Sequence, residues 1–313
     1  MMKNIEVTSS PHLRDRISTK RIMQEVCIAL APAGIVGIIQ FGFGALALMA
    51  ACVICCVLFE YLFQKISHQK ITVGDWSAVV TGLLLAYNLP ANAPLWLAVI
   101  GSALAIVLVK QCFGGLGCNF MNPALAARAI LFISWALIMT SYPQPVGAVD
   151  AVSTATPLAL LKAGDAASVS LVSLLLGSCG GVLGETCKLA IIAGGVYLII
   201  RKIADWRIPV FFIATAFICY LIRDNAGIAL KEILSGGLML GAFFMATDYV
   251  TSPMTNIGRI IMSVGCGLLV FVIRSFTQSA EGCSFAILFM NILTPLIDRF
   301  TVGKTFGEGK KNG

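Results

Sequence analysis

From Ile22 to Asp298 apolar runs follow one another with few interruptions, at 22–40, 43–63, 76–89, 94–112, 123–140, 185–203, 208–222, 234–248, 256–275 and 283–298. A helix needs about 20 mostly apolar residues to cross a bilayer, and most of these runs approach that length. Of the 313 residues 58% are apolar and 12% charged, and the mean hydropathy is +0.91, outside the range of water-soluble domains. Backbone polar groups in lipid must be satisfied within the spanning segment, so the chain is expected to be all-α, a polytopic membrane protein of about ten transmembrane helices.

Residues 1–21 are polar and basic, and the apolar run after them continues without a small-residue cleavage site. The first span is therefore expected to be a retained anchor. The chain divides into this N-terminal segment, five spans over 22–140, a connecting segment at 141–184, five spans over 185–298 and a tail at 299–313.

Basic residues collect on the cytoplasmic side of membrane proteins. With the N-terminus inside, Lys3, Arg14, Arg16, Lys20, Arg21, Lys65, Lys70, Lys110, Arg128, Arg201, Lys202, Arg207, Arg259, Arg299, Lys304, Lys310 and Lys311 all fall inside. Only Lys162, Lys188, Arg223, Lys231 and Arg274 fall outside. Both termini are then cytoplasmic, and 141–184 faces outward from the cell (inner) membrane. The same bias accounts for the net charge of +7, and no basic cluster interleaved with aromatics argues for nucleic acid. Partners are expected in the membrane, lipid included.

Two stretches can be superposed. Gly82 to Pro94 reads GLLLAYNLPANAP and Gly241 to Pro253 reads GAFFMATDYVTSP; each ends a short apolar segment in a polar residue and a proline. Downstream, Gly117, Cys118, Asn122 and Pro123 correspond to Gly282, Cys283, Asn291 and Pro295. The stretches lie five crossings apart and so run in opposite directions, giving two inverted five-helix repeats with broken helices near the midplane. Glycine pairs at Gly177 and Gly181, Gly237 and Gly241, and Gly194 and Gly195 suit close helix packing.

Charge inside a membrane is costly and marks function. Asp248, Asp298 and Glu185 are the acids placed to bind a cation or relay a proton along an ion path; for Asp298 a salt bridge to Arg299 is the plainer alternative. Asn119 and Asn122 would share one face if helical, offering amides to a planar polar ligand, while Asn122 ahead of Pro123 is equally a helix cap. In VDAVSTATPLAL (149–160) Thr156 before Pro157 is a helix start by the same logic. The two histidines, His12 and His68, fall on the opposite side of the membrane from these hydroxyls, so no catalytic dyad can be built and no catalytic residue is expected. The eleven cysteines lie mostly within spans, as small packing residues; Cys52 and Cys55 share a helix face, but no metal site is expected.

Seven segments in order, SPHLRDR (10–16), TGLLLAYNLP (81–90), GGLGCNFMNPALAARA (114–129), DAVSTATPLA (150–159), LGETCKLAIIAGG (183–195), GAFFMATDYVTSP (241–253) and EGCSFAILFMNILTPLID (281–298), resemble the NqrB/RnfD family. This family contains the RnfD membrane component of the Rnf ion-translocating ferredoxin:NAD oxidoreductase and the similar NqrB component of the sodium-translocating NADH:quinone oxidoreductase. The resemblance implies covalent FMN on a threonine through a phosphoester, attached by an extracytoplasmic flavin transferase. The motif falls on Ser153, Thr154, Ala155 and Thr156, making Thr156 the flavin-bearing residue, with Thr154 where the family has glycine. It also implies a second, non-covalent flavin (riboflavin or FMN) at Asn119 and Asn122, an ion path near Asp248 and Asp298, and the other Rnf subunits as partners. The implied fold is ten helices in two inverted repeats, similar to urea and ammonium channels. The short segment before the first span favours the Rnf type over the quinone-reducing relative, and a non-redox small-solute channel is the rival from another class.

Overall fold

A computed structural model describes residues 18–143, 156–165, 167–277 and 282–303. Among the described residues the regular structure is helical, with one isolated bridge between Pro90 and Val182. The first half contains α1 (Thr19–Phe41), α2 (Phe43–Ile66), α3 (Ser77–Tyr87), α4 (Leu95–Gln111), α5 (Pro123–Ser134) and the short α6 (Ala136–Met139). Two one-and-a-half-turn helices follow, α7 (Pro157–Lys162) and α8 (Leu171–Leu176). The second half contains α9 (Lys188–Ile200), α10 (Arg207–Arg223), α11 (Ala226–Leu234), α12 (Leu238–Met245), α13 (Asn256–Phe276) and α14 (Cys283–Thr301).

Each of the ten apolar runs contains a helix, but they differ in kind. α1, α2, α13 and α14 are long and apolar enough to cross a bilayer, and a fifth span results if α11 and α12, bent by 67° across a short break, count as one. These long helices turn most of their surface outward, exposing Ile28, Ile39, Ile54 and Phe276. Such exposed apolar surface belongs against lipid, and the chain is a multi-pass membrane protein. The shorter α3 is wrapped instead: nine of its eleven residues are buried, and its length of about 16 Å falls short of the hydrocarbon core. α11 departs from the expected pattern, being an added amphipathic helix ahead of the 234–248 run.

Local sequence sets the ends. Ser18 caps α1 by accepting from Arg21 N–H at 3.3 Å, and Thr255 caps α13 by accepting from Gly258 N–H at 3.0 Å. Between α1 and α2 stands a single residue, Gly42, with φ 74° and ψ −159°. That conformation is open essentially to glycine alone. The final eight residues of α4, Leu104–Gln111, are π-helical, as is Gly241–Met245 of α12.

Packing is organised twice over. α2 carries α3 and α4, and α10 carries α13, which in turn packs on α14. The groups meet where α1 lies against α9 and where α5 lies against α14. Gly194 of α9 sits directly on the backbone of Ala29 in α1, the close approach that its lack of a side chain permits.

Four basic residues that enter the orientation bias, Lys110, Arg128, Lys188 and Arg274, are buried within helices. Lys110, 2% exposed, donates to both carboxylate oxygens of Glu60 at 2.9 Å and to Ser77 Oγ at 2.6 Å. Arg128, also buried, lies in the interior of α5. All four are hydrogen-bonded inside the fold, so the orientation bias rests on the remaining basic residues.

Candidate functional site

The breaks after α3 and α12 face each other. Asn88, which ends α3, donates through Nδ2 to Leu84 O at 2.6 Å and contacts Met245 Sδ at 3.8 Å. Its Oδ1 accepts from Arg128 Nη1 at 2.8 Å, which also donates to Ser284 Oγ in α14 at 2.9 Å. On the other side Arg128 Nη2 lies 3.6 Å from Glu185 Oε1. Side chains from both halves therefore converge on one buried guanidinium. Tyr142, just beyond α6, belongs to the same neighbourhood: burial pushes its hydroxyl up to about 12, with Arg128 opposing the shift.

On one side of this layer is a cavity of about 90 Å³. Asn119, Asn122 and Asp248 line it together, with Thr81, Thr247 and apolar residues such as Leu84 and Phe244. The asparagines do not share a helical face, because α5 begins only at Pro123. Asn122 caps that helix, its Oδ1 accepting from Ala124 N–H at 3.1 Å and Leu125 N–H at 3.3 Å, while Nδ2 donates to Met245 O at 3.3 Å. Asn119 donates to Met121 O at 3.1 Å, and its carbonyl oxygen accepts nothing among the described residues. Asn122 is thus the helix cap, and it also borders the cavity. Asn119 retains the freer amide.

Asp248 accepts from Thr251 Oγ1 at 3.2 Å within the turn after α12. Asp298 does not join it at the cavity. It accepts from Met254 N–H at 3.0 Å and, among the described residues, forms no ion pair with Arg299. Glu185 lies elsewhere again, in a second, smaller pocket that it lines with Thr156, Gly181, Thr186 and Lys188. The three acids expected on an ion path therefore occupy three separate places.

Thr156 is half-buried and starts α7, its Oγ1 accepting from Ala159 N–H at 3.2 Å. Ser153 and Thr154 lie outside the described residues, as do the 1–17 part of the N-terminal segment and most of the 299–313 tail. Among the described residues no group of three or more His, Cys, Asp or Glu could hold a metal ion.

The two pockets are joined by contacts: Asn122 to Met245, Met245 to Asn88, Asn88 to Arg128, Arg128 to Glu185, and Glu185 O to the Lys188 ammonium. In the sequence, Arg128 and Lys188 count only toward orientation. The signal that would have found them is that both fall inside apolar runs, where charge is costly. Ser284, an ordinary small residue at a helix start, carried no such signal.

A buried charged layer at two facing helix breaks, flanked by pockets, defines the class: a membrane protein with a polar interior site rather than a plain bundle. A sequence model of the NQR2, RnfD, RnfE family matches residues 6–307, and the chain belongs to that family. It is similar to the D subunit of the Na(+)-translocating ferredoxin:NAD(+) oxidoreductase complex of Acetobacterium woodii, 53% identical with 98% of this chain and 96% of the relative covered. The D subunit of the proton-translocating ferredoxin:NAD(+) oxidoreductase complex of Clostridium ljungdahlii is 41% identical, with 97% of each chain covered. The D subunit of the ion-translocating oxidoreductase complex of Stutzerimonas stutzeri is 38% identical over 95% of this chain and 94% of its own.

Proposed function

We propose that this chain is the flavin-carrying membrane subunit of an Rnf-type complex, passing electrons between ferredoxin and NAD coupled to Na⁺ or H⁺ translocation. The observation that carries this is similarity to the D subunits of a sodium-translocating and a proton-translocating complex, over 98% and 97% of this chain. The subunit acts within the complex and is not catalytic alone; the other Rnf subunits are its partners, and bilayer lipid surrounds its long helices. The fold reading that goes with it is ten spans in two inverted five-helix repeats. The doubled packing supports it, since α2 with α3 and α4 mirrors α10 with α12 and α13, and α1 meets α9 as α5 meets α14. Termini on the cytoplasmic face of the cell membrane go with this reading, and the α9–α10 connection supports it: Arg201 and Lys202 begin that connection, and Arg207 and Arg259 meet there at Asp205.

Thr156 is the anchor for FMN, added by an extracytoplasmic flavin transferase. The residues present fit this: the hydroxyl is half-buried beside a pocket whose wall carries a buried ammonium. The larger cavity fits a second, non-covalent flavin, with apolar walls for a planar ring and the Asn119 amide for its polar edge. When bound, flavins supply the one-electron chemistry. The protein's own part is spacing and electrostatics. Asn122 and Asn88 both hold Met245, and Arg128 bridges the two halves between the pockets. Asp248, on the cavity wall, is the acid best placed to answer charge changes there by binding a cation.

Co-production with a flavin transferase, followed by a denaturing gel, tests the anchor. A fluorescent band at the size of this chain is expected for the wild type and none for Thr156→Ala. No band in the wild type would end the flavin-carrying reading, and a band surviving in Thr156→Ala would move the attachment elsewhere. Sodium-dependent transport by the complex in vesicles decides between Na⁺ and H⁺.

A further inference from the structure

Lys188 is a buried cation to which the function above gives no task. It opens α9, is 2% exposed, and its ammonium donates to Glu185 O and, at 2.7 Å, to Gly236 O. Both acceptors are neutral carbonyls. The side chain lines the same pocket as Thr156 and Gly181. Behind the Gly236 peptide stands a second buried cation, Arg274, 3% exposed, donating to Glu232 O at 2.9 Å and Ser235 O at 3.2 Å. Gly236 has φ 65°, and a Cβ there would lie 3.0 Å from Arg274 Nη2. Only glycine therefore lets Lys188 and Arg274 close on this segment from two sides.

The neighbouring acids are fewer than the neighbouring cations, and Arg223 is shared between Glu232 and Asp224. Glu232 pairs with Arg223, and Glu185, which also lines the pocket, faces Arg128 at 3.6 Å. Arg128, Lys188, Arg223 and Arg274 together exceed Glu185, Glu232 and Asp224 by one positive charge, and Lys188 is the cation among them that lines the pocket. Burying such charge is costly unless an anion stands beside it.

We propose that the pocket between Thr156 and Lys188 is a seat for a phosphate group, with the Lys188 ammonium as its principal contact and Arg274 as supporting charge. Its ligand class is a phosphate ester. On the flavin-bearing reading of Thr156, on which the identity of the occupant rests, it is the phosphate that links FMN to the threonine. Lys188 then acts as a positioning residue, fixing the ester relative to α9.

The test uses the full-length chain purified without a flavin transferase, so that Thr156 is unmodified. FMN and riboflavin, which differ by the phosphate, are titrated by flavin fluorescence quenching; riboflavin accounts for ring binding in the larger cavity. A charge-assisted contact predicts FMN binding at least about tenfold tighter than riboflavin. Inorganic phosphate should compete that advantage away. Lys188→Met should bring FMN to the riboflavin value without changing riboflavin, and Lys188→Arg should keep most of the advantage. Should Lys188→Met fail to fold, flavinylated wild type serves instead, because its own phosphate fills the seat and FMN and riboflavin should then bind equally. Equal affinities in the unmodified chain, or an FMN preference untouched by Lys188→Met or by flavinylation, would overturn the proposal. The two readings fail separately: a gel band persisting in Thr156→Ala refutes the anchor while the FMN preference stands, and loss of the preference beside an intact band refutes the seat alone.

Discussion

Arg128→Met tests whether the two halves are held by one buried charge. In the wild type the guanidinium donates to Asn88 Oδ1 at 2.8 Å and Ser284 Oγ at 2.9 Å and faces Glu185 at 3.6 Å, all in buried surroundings. Removing it leaves the Glu185 carboxylate without its cation, a loss of about 3–5 kcal/mol for a broken buried pair. Asn88 Oδ1 loses its donor as well, adding about 1–3 kcal/mol. Glu185→Gln is milder, because Arg128 keeps Asn88 and Ser284 and the 3.6 Å ion pair carries no hydrogen bond; a loss smaller than that of Arg128→Met is expected. The double variant Arg128→Met/Glu185→Gln should be more stable than the sum of the two single losses predicts, since no uncompensated charge remains. Unfolding of the purified protein in mixed micelles by increasing SDS, followed by far-UV circular dichroism, reads all four forms. Equal losses from the two single variants, or strict additivity in the double, would refute the assignment of Arg128 as the shared partner.

Three further outcomes are open to measurement. At the α9–α10 loop, burial would raise the Asp205 carboxyl, but Arg207 N–H and the Arg259 guanidinium outweigh it and hold the carboxyl below its ordinary 3.8. A lowered folded value contributes stability above the unfolded value that is lost as pH falls through the folded one, so the gap between wild type and Asp205→Asn should be constant above about pH 5 and close below pH 4; a gap widening in acid would contradict this. Gly42→Ala should cost about 1–3 kcal/mol in the same SDS titration, because φ 74° with ψ −159° excludes a side chain, and an unchanged midpoint would count against the geometry of that joint. Asn291 is 1% exposed with both amide atoms unpartnered among the described residues, so Asn291→Leu should be neutral or stabilising by about 1 kcal/mol; a loss instead would show that the amide has a partner from outside them.

The apolar runs made the helices legible, because hydrophobicity over a span-length window needs no knowledge of neighbours. The capping pairs were legible for the same reason: Asn122–Pro123 and Thr156–Pro157 start helices by local chemistry alone. What escaped were the partnerships. Arg128 reaches Asn88 across 40 positions and Ser284 across 156, distances over which a single sequence carries no pairing information. Lys110 escaped for the opposite reason, since a lysine at the end of an apolar run looks like a loop residue until the π-helical turn of α4 carries it inward to Glu60. Asp248 and the two asparagines, named from sequence for different roles, border one cavity, whereas Asp298, grouped with Asp248 by charge and by resemblance, and Glu185, grouped by charge, lie apart.

The single-residue joint at Gly42 has a consequence for biosynthesis. With one residue between them, α1 and α2 leave the ribosome with no loop for the insertion machinery to sort on its own. Whatever orientation the basic residues before α1 impose is handed to α2 in the same event. The rest of the chain then threads from an end whose direction is already fixed.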